Sequence, residues 1–319
     1  MAELRRLLIQ HSRLEPCLTT DRRLALNERE GHYLRRVLRL RPGDAVAVVD
    51  GDGGLWTARL CSSAELALDP KPASDPAPAP SPLLGLAVVG VRRGMDELMR
   101  MACELGVDRI QPLRSHWRTV QAEERPQRWQ LILDEAVEQC ERLWQPSLLP
   151  CRHVDDWWGE PPSDAVKALA TTRRDGLASL PHWLNQQPDQ VGVVWVAIGP
   201  EAGWTADEER AAEANGWTPV SCGPSILRTS TAAVSAVAQM ASLAVRSDAS
   251  RVAGFLADQL YYAVRDPAGR WSPAQALDPG AGAMTVGPQA ITGAEDRVQI
   301  AYADTDGAVW LRTLSGDGA

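Results

Sequence analysis

The sequence predicts an α/β protein built on a mostly parallel sheet, with a β-rich segment on either side of it. Between residues 83 and 246, apolar runs of strand length alternate with segments of helical periodicity, as in parallel strands joined by crossover helices. The stretch 70–82 consists mainly of Pro, Ala, Ser and Asp, which cannot build a core, and indicates a semi-rigid linker. Residues 1–69 and 251–319 carry short apolar runs broken by Gly- and Asp-rich turns, which predicts two small β modules.

In the front module, two strands at 44–50 and 55–60 flank the Gly-rich turn 51–54. No helical pattern follows the turn and no Lys-Ser or Lys-Thr pair closes it, so it predicts a hairpin and not a phosphate-binding loop. In the α/β domain we predict strands at 83–91, 107–112, 168–171 and 191–198, and helices at 95–105, 125–144, 206–215 and 230–245. The last helix is apolar on nearly every face, so we expect it to be buried, in its own domain or against another subunit.

The formal net charge of −8 argues, taken alone, against a nucleic-acid partner, because phosphate binding depends mainly on Lys and Arg. The charge is unevenly distributed, however: residues 1–45 hold ten Arg against six acids, and residues 251–319 hold five Arg against eight acids. A basic front end is typical of an RNA-binding surface, and an ordinary solvated surface is an equally good interpretation. The candidate RNA contacts in it are Arg22, Arg23, Arg35 and Arg36.

The six Cys stand singly, without a C-x-x-C pair and without His at metal-ligand spacing, which predicts reduced thiols in a cytoplasmic protein and no bound metal. The N-terminal apolar stretch is three residues long, too short for the core of a signal peptide. The most apolar segment, 232–245, is interrupted by Ser235, Gln239 and Ser242 and is shorter than a bilayer span. We expect no membrane role.

The first candidate site loop is WVAIGPEAGW, at 195–204. Ligands of open α/β sheets bind at the carboxyl ends of the strands, where this sequence places Gly199, Pro200 and Glu201. Glycine lets a ligand approach the backbone, and the acid favours a cationic ligand. An isolated Gly-Pro pair more often simply ends a strand, so this loop carries weight only together with a second one.

The second loop, 222–230, also follows a short strand and opens the apolar helix, with Thr229 or Ser230 available as the helix N-cap. Two such turns after successive strands predict a pocket with apolar walls and few polar groups. Arg228 is the candidate catalytic residue, because a guanidinium can neutralise charge that develops on a base during alkyl transfer, or lower the pKa of an N–H that must lose its proton. A phosphate contact or a structural salt bridge is the alternative role of Arg228.

Five blocks follow one another along residues 1–246: HYLRRVLRLRPGDAVAVVDGDG (32–53), RMACELGVDRIQPLRSHWR (100–118), DEAVEQCERLWQPSL (134–148), AIGPEAGW (197–204) and GPSILRTSTA (223–232). Together they resemble the bacterial 16S ribosomal RNA uridine-N3 methyltransferases, the RsmE family of the SPOUT superfamily. The resemblance implies a PUA-like β-barrel for RNA, then a SPOUT domain whose C-terminal part is threaded into a trefoil knot. It also implies S-adenosyl-L-methionine as cofactor, 16S rRNA or the 30S subunit as substrate, and a homodimer formed through the knot helices.

In this resemblance the backbone of the knot loops holds most of the cofactor. The matching residues are Thr171, Thr172, Ile198, Gly199, Pro200, Glu201, Gly203, Ser221, Gly223, Ile226, Leu227 and Thr229. The block 138–142 faces the same region, and its charges, including Arg142, are candidates for contact with RNA or with the partner subunit. A solvated helical face is an equally good interpretation of that block.

Two positions depart from the family pattern. Ala202 replaces a Gly, a mild change if that backbone has a negative φ. Ser230 replaces a Glu, which would impair the enzyme if the acid is a general base but not if it is a helix cap, the interpretation we prefer. The departure leaves open a second function, a catalytically weak RNA-binding homodimeric scaffold. The tail 251–319, with two similar strand-turn-Trp units like β-propeller blades, is assigned no chemistry; carbohydrate or protein binding is left open.

Overall fold

The computed structural model describes residues 4–62, 64–117, 124–188 and 191–241, and beyond them a set of strands between residues 244 and 314. The front module is a five-stranded sheet of order β1-β3-β4-β5-β2, in which β1 runs parallel to β3 and the other pairs are antiparallel. Its elements are β1 (Arg6–Leu8), α1 (His11–Thr19), β2 (Arg23–Ala25), α2 (Glu28–His32), a π-helical turn (Tyr33–Val37), β3 (Ala45–Val49), β4 (Leu55–Ser62) and β5 (Glu65–Pro72). Val46, Val48 and Leu60 alternate inward and pack with Leu14 of α1.

The predicted hairpin is confirmed, and its Gly-rich turn docks the front module onto the following domain. Gly53 N donates a hydrogen bond to Leu143 O (3.0 Å), and Gln145 N donates one to Gly51 O (2.8 Å). Gly51 and Gly53 have φ of 80° and 96°, and a Cβ added to Gly51 would lie 3.0 Å from Gln145 Cβ. Glycine is therefore required both by the left-handed backbone and by the close approach of the second domain.

The linker begins later than expected, because β5 continues to Pro72. Ala73 N then donates to Leu55 O (2.8 Å), and Ala77 N donates to Gly53 O (2.9 Å). The first half of the 70–82 stretch is thus strand and hydrogen-bonded extension, which keeps it against the hairpin.

The second domain confirms the α/β prediction: its eight-stranded sheet has the order β11-β13-β10-β12-β6-β7-β8, with β9 also on β7, and its pairs are parallel. The strands are β6 (Leu83–Val89), β7 (Arg109–Arg114), β8 (Ser147–Leu148), β9 (Arg152–His153), β10 (Val166–Ala170), β11 (Ala178–Ser179), β12 (Val193–Ile198) and β13 (Thr218–Ser221). The helices are α3 (Met95–Glu104), α4 (Pro126–Cys140), a 3₁₀ turn (Val154–Asp156), α5 (Leu180–Asn185), α6 (Ala206–Ala214) and α7 (Thr229–Ala241).

The two faces of this sheet have different cores. One face carries mainly Leu, Val, Met and Ala, with α3, α4, α5 and α7 packed on it. The other face carries a cluster of Trp157, Trp158, Trp195 and Trp217, whose neighbouring ring centroids lie 5.2–6.0 Å apart. Aromatic pairs at such distances are favourable beyond the area they bury. The chain has 12 Trp and a single Phe, and this cluster is where much of the Trp is used.

Two predicted helices are too long. α4 ends at Cys140 instead of residue 144 because Glu141 has a left-handed φ of 64°. α7 ends at Ala241, and β14 (Ala244–Val245) follows. α7 buries Ala236 and Val237, among others, while residues on its other side are half-exposed, so among the described residues one face of α7 is fully covered and the other is covered in part. In the part of the chain that the structure describes, no helix combines the length and the hydropathy needed to cross a bilayer.

The described strands of the tail form two antiparallel sheets, of order β14-β15-β16-β17 and β18-β19-β20. They are β15 (Arg251–Leu256), β16 (Leu260–Arg265), β17 (Gln275–Ala276), β18 (Met284–Thr292), β19 (Val298–Asp304) and β20 (Val309–Leu314). In the first of the two strand-turn-Trp units, residues 266–271, which hold the turn and the Trp, lie outside the described residues, and the likeness to propeller blades stays a prediction.

Candidate functional site

The strands that lead to the predicted site are neighbours in the sheet. β10 lies between β12 and β13, and Ala170 is aligned with Ile198 on one side and with Val220 on the other. Because these strands are parallel, the loops that follow them leave from the same edge. These loops are the segment after β10 and the two loops predicted from the sequence. Once the residues of β12 and α7 are set aside, the first loop comprises residues 199–204 and the second loop comprises residues 222–228.

The loops enclose a cleft, and all twelve residues expected to bind the cofactor line it, from Thr171 and Thr172 to Thr229. Sequence reasoning missed five further lining residues: Ala170, Trp204, Cys222, Ser225 and Ala232. Each of these lies within three positions of a predicted residue, so their place in the same loops was the available signal. The space between the loops is about 70 Å³, well below the roughly 300–1,000 Å³ of ligand pockets. The cleft is partly open to solvent, so a cofactor-sized ligand extends beyond this space.

Hydrogen bonds at three points hold the first loop. Thr229 Oγ1 donates to Gly199 O at 2.8 Å, which ties the loop to the start of α7. Gly203 N donates to Pro200 O at 2.8 Å and closes a turn, and Gly203 has φ of 81°. Trp204 Nε1 donates to Ala170 O at 3.0 Å. Ala202 is not among the residues with positive φ, so its replacement of the family's Gly causes no backbone strain.

A buried carboxylate continues this network beyond the loop. Thr205 Oγ1 accepts from Glu208 N (3.1 Å) and Glu208 Oε2 accepts from Thr205 N (2.7 Å), which forms a capping box at the start of α6. Glu208 Oε1 accepts from His116 N at 2.8 Å. Because Glu208 is only 2% exposed, it links the end of the first loop firmly to the segment after β7.

Thr171 contributes its backbone and methyl group to the cleft, since its polar groups are already engaged. Its N–H donates to Val220 O at 3.1 Å, and its hydroxyl donates to the carboxylate of Glu209. Glu209 also pairs with Arg174 (3.4 Å). Thr171 is therefore a fixed element of the wall.

The second loop is open by comparison. Gly223, Pro224, Ser225 and Ile226 are exposed, and Ile226 exposes 64% of its surface. Ser221 Oγ bonds the loop locally, donating to Gly223 O (2.8 Å) and accepting from Gly223 N (3.2 Å). An exposed apolar side chain at the mouth of a cleft can cover a bound ligand, because burying it there is favourable.

Cys222 is the one thiol that lines the cleft among the described residues. Burial raises the pKa of this thiol to about 11, so the thiolate is scarce at neutral pH. Since the thiolate is the nucleophilic form of cysteine, Cys222 stays unreactive toward an electrophile in the cleft.

Arg228 lies at the rim of the cleft, exposed, between the lining residues Leu227 and Thr229. Among the residues that the structure describes, no carboxylate forms an ion pair with it, so its charge is available to a substrate. Arg228 O accepts from Ala232 N (2.8 Å), which places Arg228 at the N-cap position of α7. The cap interpretation of Thr229 and Ser230 is therefore corrected: they are the first two residues of the helix, and the hydroxyl of Thr229 binds the first loop instead.

The arginines predicted to contact RNA have unequal surroundings. Arg35 and Arg36 are exposed on the π-helical turn. Arg23 is exposed and pairs with Glu65 at 2.9 Å. Arg22 is half-buried and donates to Asp69 O at 3.2 Å.

Arg142 is a correction to the predicted RNA surface. Its guanidinium donates to Cys103 O (2.9 Å), Val107 O (2.7 Å) and Asp108 Oδ1 (2.8 Å), and its side chain is 15% exposed. Arg142 therefore joins the end of α3 to β7 and has a structural environment. Glu138 in the same block is also turned inward and accepts from Leu8 N at 2.9 Å, and burial raises the pKa of its carboxyl to about 7.

Comparisons with protein families agree with this arrangement. The model of an RNA methyltransferase PUA domain matches residues 26–62, and that of an RNA methyltransferase domain matches residues 79–241. A PUA domain, followed by a parallel sheet with a loop-lined cleft at its carboxyl edge, defines an RNA methyltransferase. Within that class, the chain belongs to the family of ribosomal RNA small subunit methyltransferase E proteins, as the five sequence blocks predict.

Several members of this family are similar over most of their length. The Synechocystis protein with that name is 35% identical over 214 residues, which are 66% of this chain and 70% of the relative. The crystal structure of the Neisseria gonorrhoeae family member, bound to S-adenosyl methionine, is 28% identical with a TM-score of 0.63 and covers 75% of this chain and 97% of its own. A Legionella pneumophila methyltransferase in complex with the same cofactor is 27% identical with a TM-score of 0.61, covering 74% and 96%.

Proposed function

We propose that this protein transfers the methyl group of S-adenosyl-L-methionine to N3 of a uridine in 16S rRNA, presented as free RNA or as the 30S subunit. The observation that carries the proposal is the convergence of twelve predicted residues on one cleft, with Arg228 at its rim and without an ion pair to any described carboxylate. The family supports the reaction class, since its members are named for methylation of small subunit rRNA and two similar structures hold this cofactor.

The chemistry of the cleft fits the cofactor. Ile198, Ile226 and Leu227 supply apolar surface for an adenine ring, and the backbone of Gly223, which has no atom within 4 Å of where a Cβ would lie, is open to a close polar contact. The Glu201 carboxylate, also in the lining, favours a cationic sulfonium. When bound, S-adenosyl-L-methionine supplies an electrophilic methyl group at that sulfonium centre.

Arg228 acts on the methyl acceptor. Loss of the N3 proton of uracil leaves negative charge on the ring and its two carbonyl oxygens, and a guanidinium beside them stabilises that charge. Thr229, fixed on Gly199, holds the neighbouring Arg228 at the rim. Because this charge develops only during the reaction, we expect Arg228 to act on the rate more than on cofactor binding.

The same proposal assigns the parts of the chain. Residues 1–72 are the RNA-binding barrel, 73–82 the linker, 83–246 the SPOUT domain with its cofactor loops in a trefoil knot, and 251–319 a β-rich appendage. The half-exposed Val234 and Ala238 on α7 support a homodimer formed through that helix. The six cysteines, unpaired in the structure, support a reducing, cytoplasmic location, and no metal takes part in the proposed reaction.

A methylation assay tests the proposal. The full-length protein is incubated with undermethylated 30S subunits, or with free 16S rRNA, and labelled cofactor, and the modified nucleoside is identified by mass spectrometry. We expect label in 16S rRNA at N3 of a uridine. RNA binding without any label in the wild-type protein would overturn the proposal and support the catalytically weak scaffold that Ser230 left open. Label at another atom would contradict the assignment of N3.

A further inference from the structure

Two of the five histidines lie side by side, and neither of them lines the cofactor cleft. β7 and β9 are parallel neighbours, with Arg114 aligned to His153. His116 follows the end of β7 and His153 ends β9, and their ring centroids are 6.2 Å apart. They are 37 positions apart in the sequence, which is why spacing along the chain shows no metal-ligand pattern.

A carboxylate completes the group. Asp155 lies in the 3₁₀ turn that follows β9, and its Oδ2 is 3.4 Å from His153 Nδ1. One ligand atom from each of His116, His153 and Asp155 lies within 4.8 Å of the other two. Ligand atoms of a tetrahedral zinc site, with Zn–N of about 2.0–2.1 Å, stand roughly 3.3 Å apart. The side chains are exposed or half-exposed, so small rotations are enough to bring them to this spacing.

We propose that His116, His153 and Asp155 bind a divalent transition metal ion, with Zn²⁺ as the best fit. Two imidazoles and a carboxylate suit zinc, nickel or copper, whereas Mg²⁺ and Ca²⁺ prefer all-oxygen sites. Three protein ligands leave the fourth tetrahedral position to water. This site is separate from the proposed methyl transfer, which uses no metal.

The fold places the two histidines before any ion binds: His116 through its backbone N–H, which donates to the buried Glu208, and His153 through the pairing of β9 with β7. His153 Nδ1 accepts from Asp155 N at 3.4 Å, and this long hydrogen bond is given up on ion binding, because a neutral imidazole that accepts at one nitrogen carries its proton on the other. The cations nearest in sequence are neutralised, because Arg114 pairs with Glu124 (2.6 Å) and Arg152 pairs with Glu160 (3.4 Å). The site is therefore positioned by the backbone and is not opposed by a free arginine at either of these positions.

Zinc titration into the EDTA-treated, reduced full-length protein tests the proposal. We expect one site in the wild type, weakened at least about tenfold in His116→Ala and in His153→Ala, because each loses one ligand bond. His182→Ala is the matched control, since His182 is an exposed histidine on α5 that contacts Gln186, and it should bind as the wild type does. Asp155→Asn provides a third variant, and melting curves in EDTA check that all variants are folded.

X-ray absorption distinguishes this site from binding by the six thiols. We expect nitrogen and oxygen scattering from two imidazoles and no sulfur shell. The proposal is overturned by a sulfur shell, by the absence of a stoichiometric site in the wild type, or by ligand variants that bind zinc as tightly as His182→Ala. None of these readouts depends on methyl transfer, so the outcome is independent of the proposed function.

Discussion

The two Gly-Pro loops share a sequence pattern but are held very differently by the fold. The first loop is hydrogen-bonded to α7 through Thr229, to β10 through Trp204, and is continued by the buried Glu208 of α6. The second loop is exposed from Gly223 to Ile226, is bonded locally through Ser221, and is joined to α7 by a long hydrogen bond from Gln239 Nε2 to Cys222 O (3.5 Å). One wall of the cleft is therefore held by more and shorter hydrogen bonds than the other. We expect the second loop to adjust more than the first when the cofactor binds.

The largest effect that we predict is a loss of methylation rate when Arg228, at the end of the second loop, is replaced. Arg228→Ala removes the charge that stabilises the developing anion, so we expect the single-turnover methylation rate to fall about 100- to 1,000-fold, as when an oxyanion donor is removed. Cofactor affinity, measured by calorimetry, should change little. Arg228→Lys keeps the charge without the planar fork and should lose less. Equal losses in rate and affinity for Arg228→Ala would make Arg228 a binding residue.

The next effect concerns the rigid loop and its backbone. Gly203 has φ of 81°, and a side chain there costs about 1–2 kcal/mol. Gly203→Ala should therefore lower the free energy of unfolding by that amount in urea titrations, and should weaken cofactor binding because the turn cannot close. The matched control is Ala202→Gly at the neighbouring position, where φ is not positive and the loss comes from backbone entropy alone, about 0.4–1 kcal/mol. A Gly203→Ala cost no greater than this control would contradict the rigid-loop description.

A smaller effect should follow when the first loop is released from α7. Thr229→Val keeps the shape of the side chain but leaves Gly199 O without its 2.8 Å hydrogen bond, which should cost about 0.5–1.5 kcal/mol in the free energy of unfolding. Thr231→Val is the control, because Thr231 lies on the same helix and is exposed. If the free energy of unfolding falls equally in the two variants, the hydrogen bond between Thr229 and Gly199 O does not stabilise the first loop.

The smallest effect is expected for the second loop itself. Ser225 is exposed and lines the cleft, so Ser225→Ala should change the free energy of unfolding by less than about 0.5 kcal/mol, as is usual for surface positions. Hydrogen exchange on the same variant provides a second readout: cofactor should protect amides 222–228 more than amides 199–204. Equal gains in protection would remove the distinction between the two loops.

The sequence predicted those parts of the molecule that depend on local patterns, such as apolar runs and Gly-Pro turns. Apolar runs identified β6, β10 and β12, and parallel strands place the following loops at one edge, which predicted a pocket at Gly199 and Gly223. The twelve lining residues came from the resemblance to the family. The helices of the front module are harder to see. α2 has five residues and depends on a capping box between Asn27 and Glu30, and α1 contains Pro16, both weak signals for a helix.

Features that depend on distant partners were not predictable. Arg142 lies in a charged block that is typical of a protein surface. In the structure, however, its guanidinium donates hydrogen bonds to Cys103 O, Val107 O and Asp108 Oδ1. The approach of His116 to His153 exists only because β9 pairs with β7. In both cases a contact between residues far apart in the sequence determines what the side chain does, and the residues next to it in the sequence do not indicate that contact.

The docking of the Gly-rich turn has a consequence for how RNA is selected. Gly51 and Gly53 bind the 143–145 segment directly, and Leu8 N donates to Glu138 of α4, so the front module and the parallel sheet are joined into one unit. Under the proposed function, in which the front module binds RNA, the distance from Arg35 and Arg36 to the cleft is therefore fixed. We expect a folded RNA that presents a phosphate backbone and a uridine at that distance to bind without rearrangement, whereas a flexible strand loses entropy when it is held straight.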